Sequence, residues 1–173
     1  MSSKNFIGRG KVVKVLKAPV SRDKLREVLT RMENKDDRLE HLIELGRTIE
    51  PLKPPYGNLR RLNSCASELW IETKESRSAS GEISIHIRGD SPSVIVKGLI
   101  SIVVMMFSDR TAMSIVEEEA LCTLRQSGLS EFLTPRAGGL RAMINHVQCA
   151  AANSIDKSRD LFGYEPGDVK ELQ

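Results

Sequence analysis

The chain has 173 residues, of which 40% are hydrophobic and 28% are charged, and its formal net charge is +3. This length supports one sizeable core but is short for two. No apolar run approaches the roughly 18 residues that a membrane-spanning helix requires. The composition therefore predicts one soluble globular domain and argues against a membrane protein.

The positive charge is concentrated at the N-terminus. Six basic residues precede the first acidic residue, Asp23, and without them 20 basic residues stand against 23 acidic ones. We interpret residues 1–20 as a basic N-terminal extension, and a flexible, solvated segment is the first interpretation. A phosphate-binding arm and an organelle transit peptide remain alternatives. We expect a cytoplasmic protein, or a plastid or mitochondrial one if the extension is a transit peptide.

The cysteines and histidines do not form a local pattern. Cys65, Cys122 and Cys149 are an odd number at wide spacing without a CxxC pair, and the three histidines lie in unrelated segments. This pattern is a poor disulfide framework and lacks the ligand spacing of a zinc site. It favours a reducing compartment and no bound metal.

Two helices are predicted before a proline-rich loop. The first covers about residues 21–34, where apolar residues recur at helical spacing. The second follows Asp37 and Glu40, which have capping-box spacing, and we expect it to end at Gly46. Residues 51–57 contain three prolines, which prevent a helix or a central strand from continuing.

A hairpin and a buried helix form the middle of the predicted domain. Residues 69–71 indicate a strand, and residues 82–88 alternate with isoleucine on one face. The polar segment 74–81 is expected to join the two strands. Residues 94–107 are almost entirely apolar, and Asp-Ser-Pro at 90–92 provides helix start signals. The sequence therefore predicts a buried central helix over 94–107.

Three further helices are expected. One begins at Thr111, one passes through Leu121 and Leu124 to Gly128, and one follows the glycine pair at 138–139. The last of these has an apolar face made of Leu140, Met143, Ile144 and Val147.

The element order predicts an α+β fold, with a small antiparallel β-sheet packed against a central apolar helix and flanking helices. We divide the chain into the extension 1–20, a domain over 21–152 and a polar C-terminal tail over 153–173. The tail is expected to be loosely held.

Cys65 differs from the other cysteines because it lies in a connector of small and polar residues, 63–67, rather than in a predicted helix. Reactive groups are common on loops held by a rigid scaffold. The arginine pair at 60–61 could favour the thiolate. Cys122 and Cys149 fall within predicted helices, where a small buried or functionally indifferent side chain is the simpler interpretation. On context alone a lone cysteine such as Cys65 is more often structural.

A resemblance to a known family changes this balance. The string LNSCASELW at 62–70 resembles the signature of the SufE/CsdE family of sulfur acceptors, in which a loop cysteine is followed by x-S-x-V-W. Four further matches occur in the correct order along the chain: LIELG at 42–46, GDS at 89–91, IVKGLI at 95–100, and LTP at 133–135 with GL and AM at 139–143. Together the matches cover about residues 21–152, and the chain is identified as a member of this family.

The resemblance implies roles for individual residues. Cys65 falls on the sulfur-accepting cysteine, flanked by Ser64, where the family usually has glycine, and by Ala66 as loop-supporting neighbours. Asp90 falls on the acidic residue that ends the second strand near the cysteine loop. Arg136 falls near an arginine of a surface segment that faces the desulfurase, although this segment is one residue shorter here. Both charges are expected to affect partner engagement more than stability.

The implied function is sulfur acceptance for iron–sulfur cluster assembly. A cysteine desulfurase that uses pyridoxal phosphate leaves a persulfide on its own cysteine, and the Cys65 thiolate is expected to attack the outer sulfur and to stimulate the desulfurase. The expected partners are a SufS-like or CsdA-like desulfurase and a downstream scaffold such as the SufBCD complex, with no nucleic acid. No cofactor is expected in this chain, since pyridoxal phosphate belongs to the desulfurase, and the chain is not expected to act as a stand-alone enzyme.

Three alternatives differ in the chemistry that they require. An adaptor that activates the desulfurase could keep the fold with a dispensable cysteine. A zinc-binding cluster scaffold of the U type needs several cysteines and a carboxylate at suitable spacing, which this sequence lacks. A nucleic-acid binder is disfavoured because aromatic residues make up only 4% of the chain and its body is net acidic.

Overall fold

The computed structural model of the chain describes residues 7–8, 11–12, 23, 35–52, 59–62, 67–126 and 137–161. Its strands are β1 (Ile7–Gly8), β2 (Lys11–Val12), β3 (Arg60–Arg61), β4 (Trp70–Arg77), β5 (Ile83–Asp90) and β6 (Arg110–Thr111). Its helices are α1 (Lys35–Thr48), α2 (Val94–Phe107), α3 (Ala112–Val116), α4 (Ala120–Gln126) and α5 (Ala137–Leu161). The predicted α+β class is confirmed.

The main sheet is antiparallel, with strand order β3-β4-β5-β6. Its centre is the β4–β5 hairpin, which pairs without interruption from Trp70↔Asp90 to Arg77↔Ile83. The expected connection over 74–81 is therefore too long, because β4 continues to Arg77. The polar side chains at 74–77 carry no strand signal, yet their backbone groups pair with β5. The turn that follows uses Gly81 at φ +85°, a conformation that glycine adopts without strain.

The predicted isoleucine face of β5 is confirmed. Ile83, Ile85 and Ile87 are all buried, while the intervening His86 and Arg88 are exposed. The buried face packs against α2, whose side chains from Val96 to Phe107 are largely shielded from solvent. The core therefore lies between this sheet and the central helix, as the alternation of β5 and the apolar run of α2 indicated.

The central helix α2 has the predicted bounds, but its N-cap lies later than the start signals at 90–92 indicated. The N-cap is Ser93, whose side chain accepts a hydrogen bond from the Val96 amide. Pro92 thus precedes the cap instead of occupying the first turn. At the other end, Ser108 donates its amide to the Val104 carbonyl, and the chain then bends into β6 through Asp109, which has a positive φ of 61°.

Helix α1 differs from the predicted helix at both ends. It starts at Lys35, so Asp37 lies in its first turn and does not precede it. It continues past Gly46 to Thr48. Gly46 is instead a packing residue, because a Cβ there would meet the Val94 carbonyl oxygen and would lie 2.9 Å from the Gly98 amide nitrogen. A glycine required by a close helix crossing looks the same in sequence as one that ends a helix.

The C-terminal helices follow the predicted order with two differences. Thr111 is the N-cap of α3, so this helix begins one residue after the predicted start, and α4 covers Leu121 and Leu124. Helix α5 starts before the glycine pair and extends to Leu161. Ser154 is buried and Ile155 packs against the core. The chain from Asn153 was expected to be loosely held, and for these two residues that expectation was wrong. None of the described helices is long and apolar enough to cross a membrane.

Several predictions concern segments outside the described residues. The helix expected over 21–34 is described only at Asp23, and the proline-rich loop only at Pro51 and Leu52. Within the N-terminal extension, β1 and β2 form an antiparallel pair, with Ile7 opposite Val12. No strand was expected in this segment from the residue pattern.

Candidate functional site

Most of the predicted site residues fall outside the described part of the chain. Ser64, Cys65 and Ala66 belong to the undescribed connector 63–66, and Arg136 also lies in a segment without description. Asp90 is described, and so are the chain segments that enter and leave the connector.

The base of the connector is closed by two contacts. The Leu62 amide donates a hydrogen bond of 2.9 Å to the Leu69 carbonyl, immediately after the pairing of Arg61 with Trp70. Arg61 Nη2 also lies 3.0 Å from Glu68 Oε1. Because Leu69 is completely buried, the returning end of the connector is held by the core as well as by the strand pair.

Asp90 ends β5 opposite Trp70, next to this base. Its Oδ2 accepts a hydrogen bond from the Leu52 amide at 3.0 Å, and its Oδ1 accepts one from the Ser91 amide at 2.8 Å. The Lys97 ammonium lies 2.9 Å from the same Oδ1. One carboxylate thus connects the end of β5, the chain that leads into the proline-rich loop, and the first turn of α2.

The Asp90 side chain is 8% exposed, so it is a buried charge at the end of β5, while its expected effect on partner engagement stays a prediction. Burial alone raises the pKa of this carboxyl by penalising the charged form. The hydrogen bonds from Lys97, Leu52 and Ser91, together with the positive charge of Lys97, outweigh that effect and lower the pKa below its ordinary value. Asp90 is therefore a charged, buried structural centre beside the connector.

Ser91 makes a second link to the connector. Its hydroxyl donates a hydrogen bond of 2.7 Å to the Glu68 carbonyl and accepts one of 3.2 Å from the amide of Ser93, the N-cap of α2. Ser91 is 2% exposed, so this hydrogen bond is shielded from water at the serine side. The last residue before Leu69 is thereby tied to the start of the central helix.

The comparisons with known proteins agree with this fold. A family model described as "SufE: Fe-S metabolism associated domain" matches residues 23–151, which is most of the chain. The chain belongs to the SufE family. The resemblance given by the sequence motifs is thereby confirmed, and the protein takes part in iron–sulfur metabolism.

A solved structure of another protein has a similar fold. The solution structure of a hypothetical protein from Thermus thermophilus superposes with a TM-score of 0.64 at 20% sequence identity. The match covers 78% of this SufE-family chain and 96% of the other chain. At this level of identity the likeness concerns the fold alone.

Sequence reasoning missed Lys97, Leu52 and Ser91 as members of this site. Lys97 is the one charged residue of α2, and a lone lysine in an apolar run is a signal that it pairs with a buried acid. Leu52 contributes only its backbone amide, for which side-chain patterns carry no signal. Ser91 was matched within the GDS string, but nothing in that string identifies Glu68 as its partner.

A histidine of α5 interacts electrostatically with the strand at the base of the connector. Burial and the positive charge of Arg60 lower the pKa of His146, so its imidazole is held neutral near physiological pH. His146 of α5 thus interacts electrostatically with Arg60 of β3, the strand that enters the connector. The sequence had placed the three histidines in unrelated segments and predicted no such interaction.

The structure describes three further surface features. A cavity of about 240 Å³ lies at the turn end of the β4–β5 hairpin, between Glu82, Met113 and Ile155. Cys122 and Cys149 are exposed on α4 and α5. Within the described ranges, no three His, Cys, Asp or Glu side chains are grouped closely enough to hold a metal ion.

Proposed function

We propose that this SufE-family chain accepts a sulfane sulfur from a cysteine desulfurase onto Cys65, stimulates that enzyme, and passes the sulfur on for iron–sulfur cluster assembly. The observation that carries the proposal is the family match over residues 23–151. This range includes Cys65 and the two strands, β3 and β4, between which the connector lies. The tied base of the connector supports it, because a reactive thiol on a short segment between fixed ends can be presented to a partner at a defined place.

The proposed step is a thiol–persulfide exchange. The Cys65 thiolate attacks the outer sulfur of the persulfide on the desulfurase cysteine. The donor sulfur–sulfur bond breaks, a new one forms at Cys65, and the desulfurase cysteine leaves as a thiolate. The outer sulfur keeps its proton, so no oxidant or reductant is consumed. The pyridoxal phosphate that generates the persulfide belongs to the desulfurase, and we propose no cofactor for this chain.

The proposed partners follow from this chemistry. The donor is a SufS-like or CsdA-like desulfurase, and the acceptor is a cluster scaffold such as a SufBCD-type complex. We also propose a reducing compartment such as the cytoplasm, because an exposed persulfide is sensitive to oxidation.

Mass spectrometry tests the proposal directly. The full chain is incubated with a SufS-like desulfurase and cysteine, and its intact mass is measured without reductant. We expect the mass of one added sulfur atom, which peptide mapping places on Cys65. Cys65→Ser should gain no sulfur, because a serine hydroxyl is scarcely ionised near neutral pH and cannot hold a sulfane sulfur. Full stimulation of the desulfurase by Cys65→Ser would support the adaptor alternative instead.

A further inference from the structure

We propose that Ser91 is a positioning residue for sulfur acceptance: its hydroxyl fixes the returning end of the Cys65 connector and thereby favours presentation of the thiol to the desulfurase. This inference rests on the proposed function, since it concerns the same thiol. Its role is to act through the Glu68 carbonyl, to which its hydroxyl donates, and not on the reacting sulfur atoms.

One hydroxyl makes hydrogen bonds to two parts of the structure, the end of the connector and the start of α2. Ser91 Oγ donates to the Glu68 carbonyl at 2.7 Å, three residues after Cys65 in sequence. The same oxygen accepts from the Ser93 amide at 3.2 Å, where α2 begins. Since α2 forms the buried centre of the core, the connector is tied through Ser91 to the most deeply buried helix described.

Besides the buried Leu69 side chain, which packs in the core, the other contacts at the base of the connector do not replace this one. The pair of Arg61 and Glu68 is about half exposed, at 59% and 48%, and exposed ion pairs contribute little. The hydrogen bond from Leu62 to Leu69 joins the two ends of the connector to each other but not to α2. Ser91 is 2% exposed, so the loss of its hydroxyl removes a protected bond that water does not easily substitute.

The expected effect is on partner engagement. A connector end that opens more often must be ordered again when the desulfurase docks, which lowers apparent affinity without changing the chemical step. The loss of one hydrogen bond of ordinary strength shifts such an equilibrium about fivefold. We therefore expect about a fivefold rise in the concentration of this chain that half-saturates the desulfurase, with the rate at saturation almost unchanged.

The experiment compares Ser91→Ala with two matched variants of the full chain. Ser91→Thr keeps the hydroxyl and should restore the half-saturating concentration. Ser101→Ala is the control, because the Ser101 hydroxyl is likewise buried and donates to a backbone carbonyl, that of Leu45 at 2.8 Å, on α1. Its removal should lower stability by a similar amount while the half-saturating concentration stays at the wild-type value.

A second readout uses this chain alone, so it does not depend on sulfur transfer. The Leu62 amide bonds to Leu69 and not to Ser91, so its hydrogen exchange reports the opening of the connector base. Its exchange should be about fivefold faster in Ser91→Ala and unchanged in Ser101→Ala. Leu62 exchange could be faster in Ser91→Ala while wild-type Cys65 gains no sulfur. That result would support the Ser91–Glu68 hydrogen bond as the contact that holds the connector base, and it would refute the proposed function.

Two results would overturn the positioning role itself. One is unchanged Leu62 exchange in a folded Ser91→Ala variant. The other is an equal loss of desulfurase engagement in Ser101→Ala. If Ser91→Ala does not fold, native-state exchange of the unmodified chain decides: the Leu62 and Ser93 amides should open with the same free energy, and different values would contradict the shared tie.

Discussion

At the scale of single residues, Asp90 shows how one buried charge is stabilised beside the connector. Its carboxylate receives the Leu52 amide, the Ser91 amide and the Lys97 ammonium, so most of its hydrogen-bonding capacity is used. Truncation would leave Lys97, which is 20% exposed, and two backbone amides without this acceptor. Asp90 therefore contributes to stability as well as to the surroundings of the connector.

We predict that Asp90→Ala lowers the free energy of unfolding by about 2–3 kcal/mol at neutral pH, because buried donors lose their acceptor. Urea unfolding of the full chain measures this. Asp109→Asn is the control: the Asp109 side chain is 53% exposed, and asparagine tolerates its positive φ, so its change should stay within about 0.5 kcal/mol.

The effect of Asp90 should also depend on pH. Its pKa in the folded chain is lowered below the ordinary value of 3.8, so the folded state binds fewer protons than the unfolded state in that range. The stability that Asp90 provides is then fully present above that ordinary value and is lost as the pH falls through the folded pKa. The difference in the free energy of unfolding between wild type and Asp90→Ala should shrink in acid. If that difference stayed constant until the Asp90 carboxyl was fully protonated, this account would be contradicted.

At the scale of elements, the crossing of α1 and α2 depends on two glycines that let the backbones approach. A Cβ at Gly98 would meet the Leu42 carbonyl oxygen and would lie 2.7 Å from Leu42 Cγ. A Cβ at Gly46 would meet the Val94 carbonyl oxygen. Because a backbone carbonyl within a helix cannot rotate away, the two helices must separate to admit either methyl group.

Gly98→Ala is therefore predicted to destabilise the chain by about 2 kcal/mol or more, although alanine is the better helix former by about 1 kcal/mol. Gly138→Ala provides the matched comparison, because Gly138 lies in the first turn of α5 and is exposed. That substitution should be neutral or slightly stabilising. Thermal unfolding of both variants checks the pair, and equal effects at the two sites would show that the crossing is not close.

The same elements show what sequence patterns can predict. The bounds of α2 were predictable because its apolar run is long and lies between polar residues. The bounds of α1 and β4 were not. Gly46 is used for packing and not as a helix end, and the polar half of β4 is a strand because β5 pairs with it. Both outcomes depend on contacts between segments that are distant in sequence.

At the scale of the whole molecule, the candidate site is assembled from four segments. Leu52, Glu68, the pair Asp90–Ser91 and Lys97 meet at one end of the sheet. The SufE resemblance predicted the family and the position of Asp90, but the contacts to Leu52 and Glu68 span 38 and 23 residues. These contacts form where β5 ends and α2 begins. The sequence does not show which distant segments lie beside this junction in the folded chain.

The whole molecule also presents a question of selectivity among its thiols. Cys122 and Cys149 are exposed on α4 and α5, so both are open to small reagents from solution. If accessibility alone decided sulfur acceptance, these two thiols would compete for the persulfide. Under the proposed function, docking decides, because the donor persulfide meets only the thiol that the bound partner surface receives.

We predict that a Cys122→Ala, Cys149→Ala double variant accepts sulfur and stimulates the desulfurase at the wild-type rate, within about twofold, since exposed positions tolerate such changes. Iodoacetamide applied to the wild-type chain without desulfurase should label Cys122 and Cys149, which confirms that both can react. Desulfurase and cysteine should then place sulfur on Cys65 alone. Sulfur on Cys122 or Cys149 in proportion to their iodoacetamide labelling would mean that exposure, and not docking at the Cys65 connector, selects the acceptor.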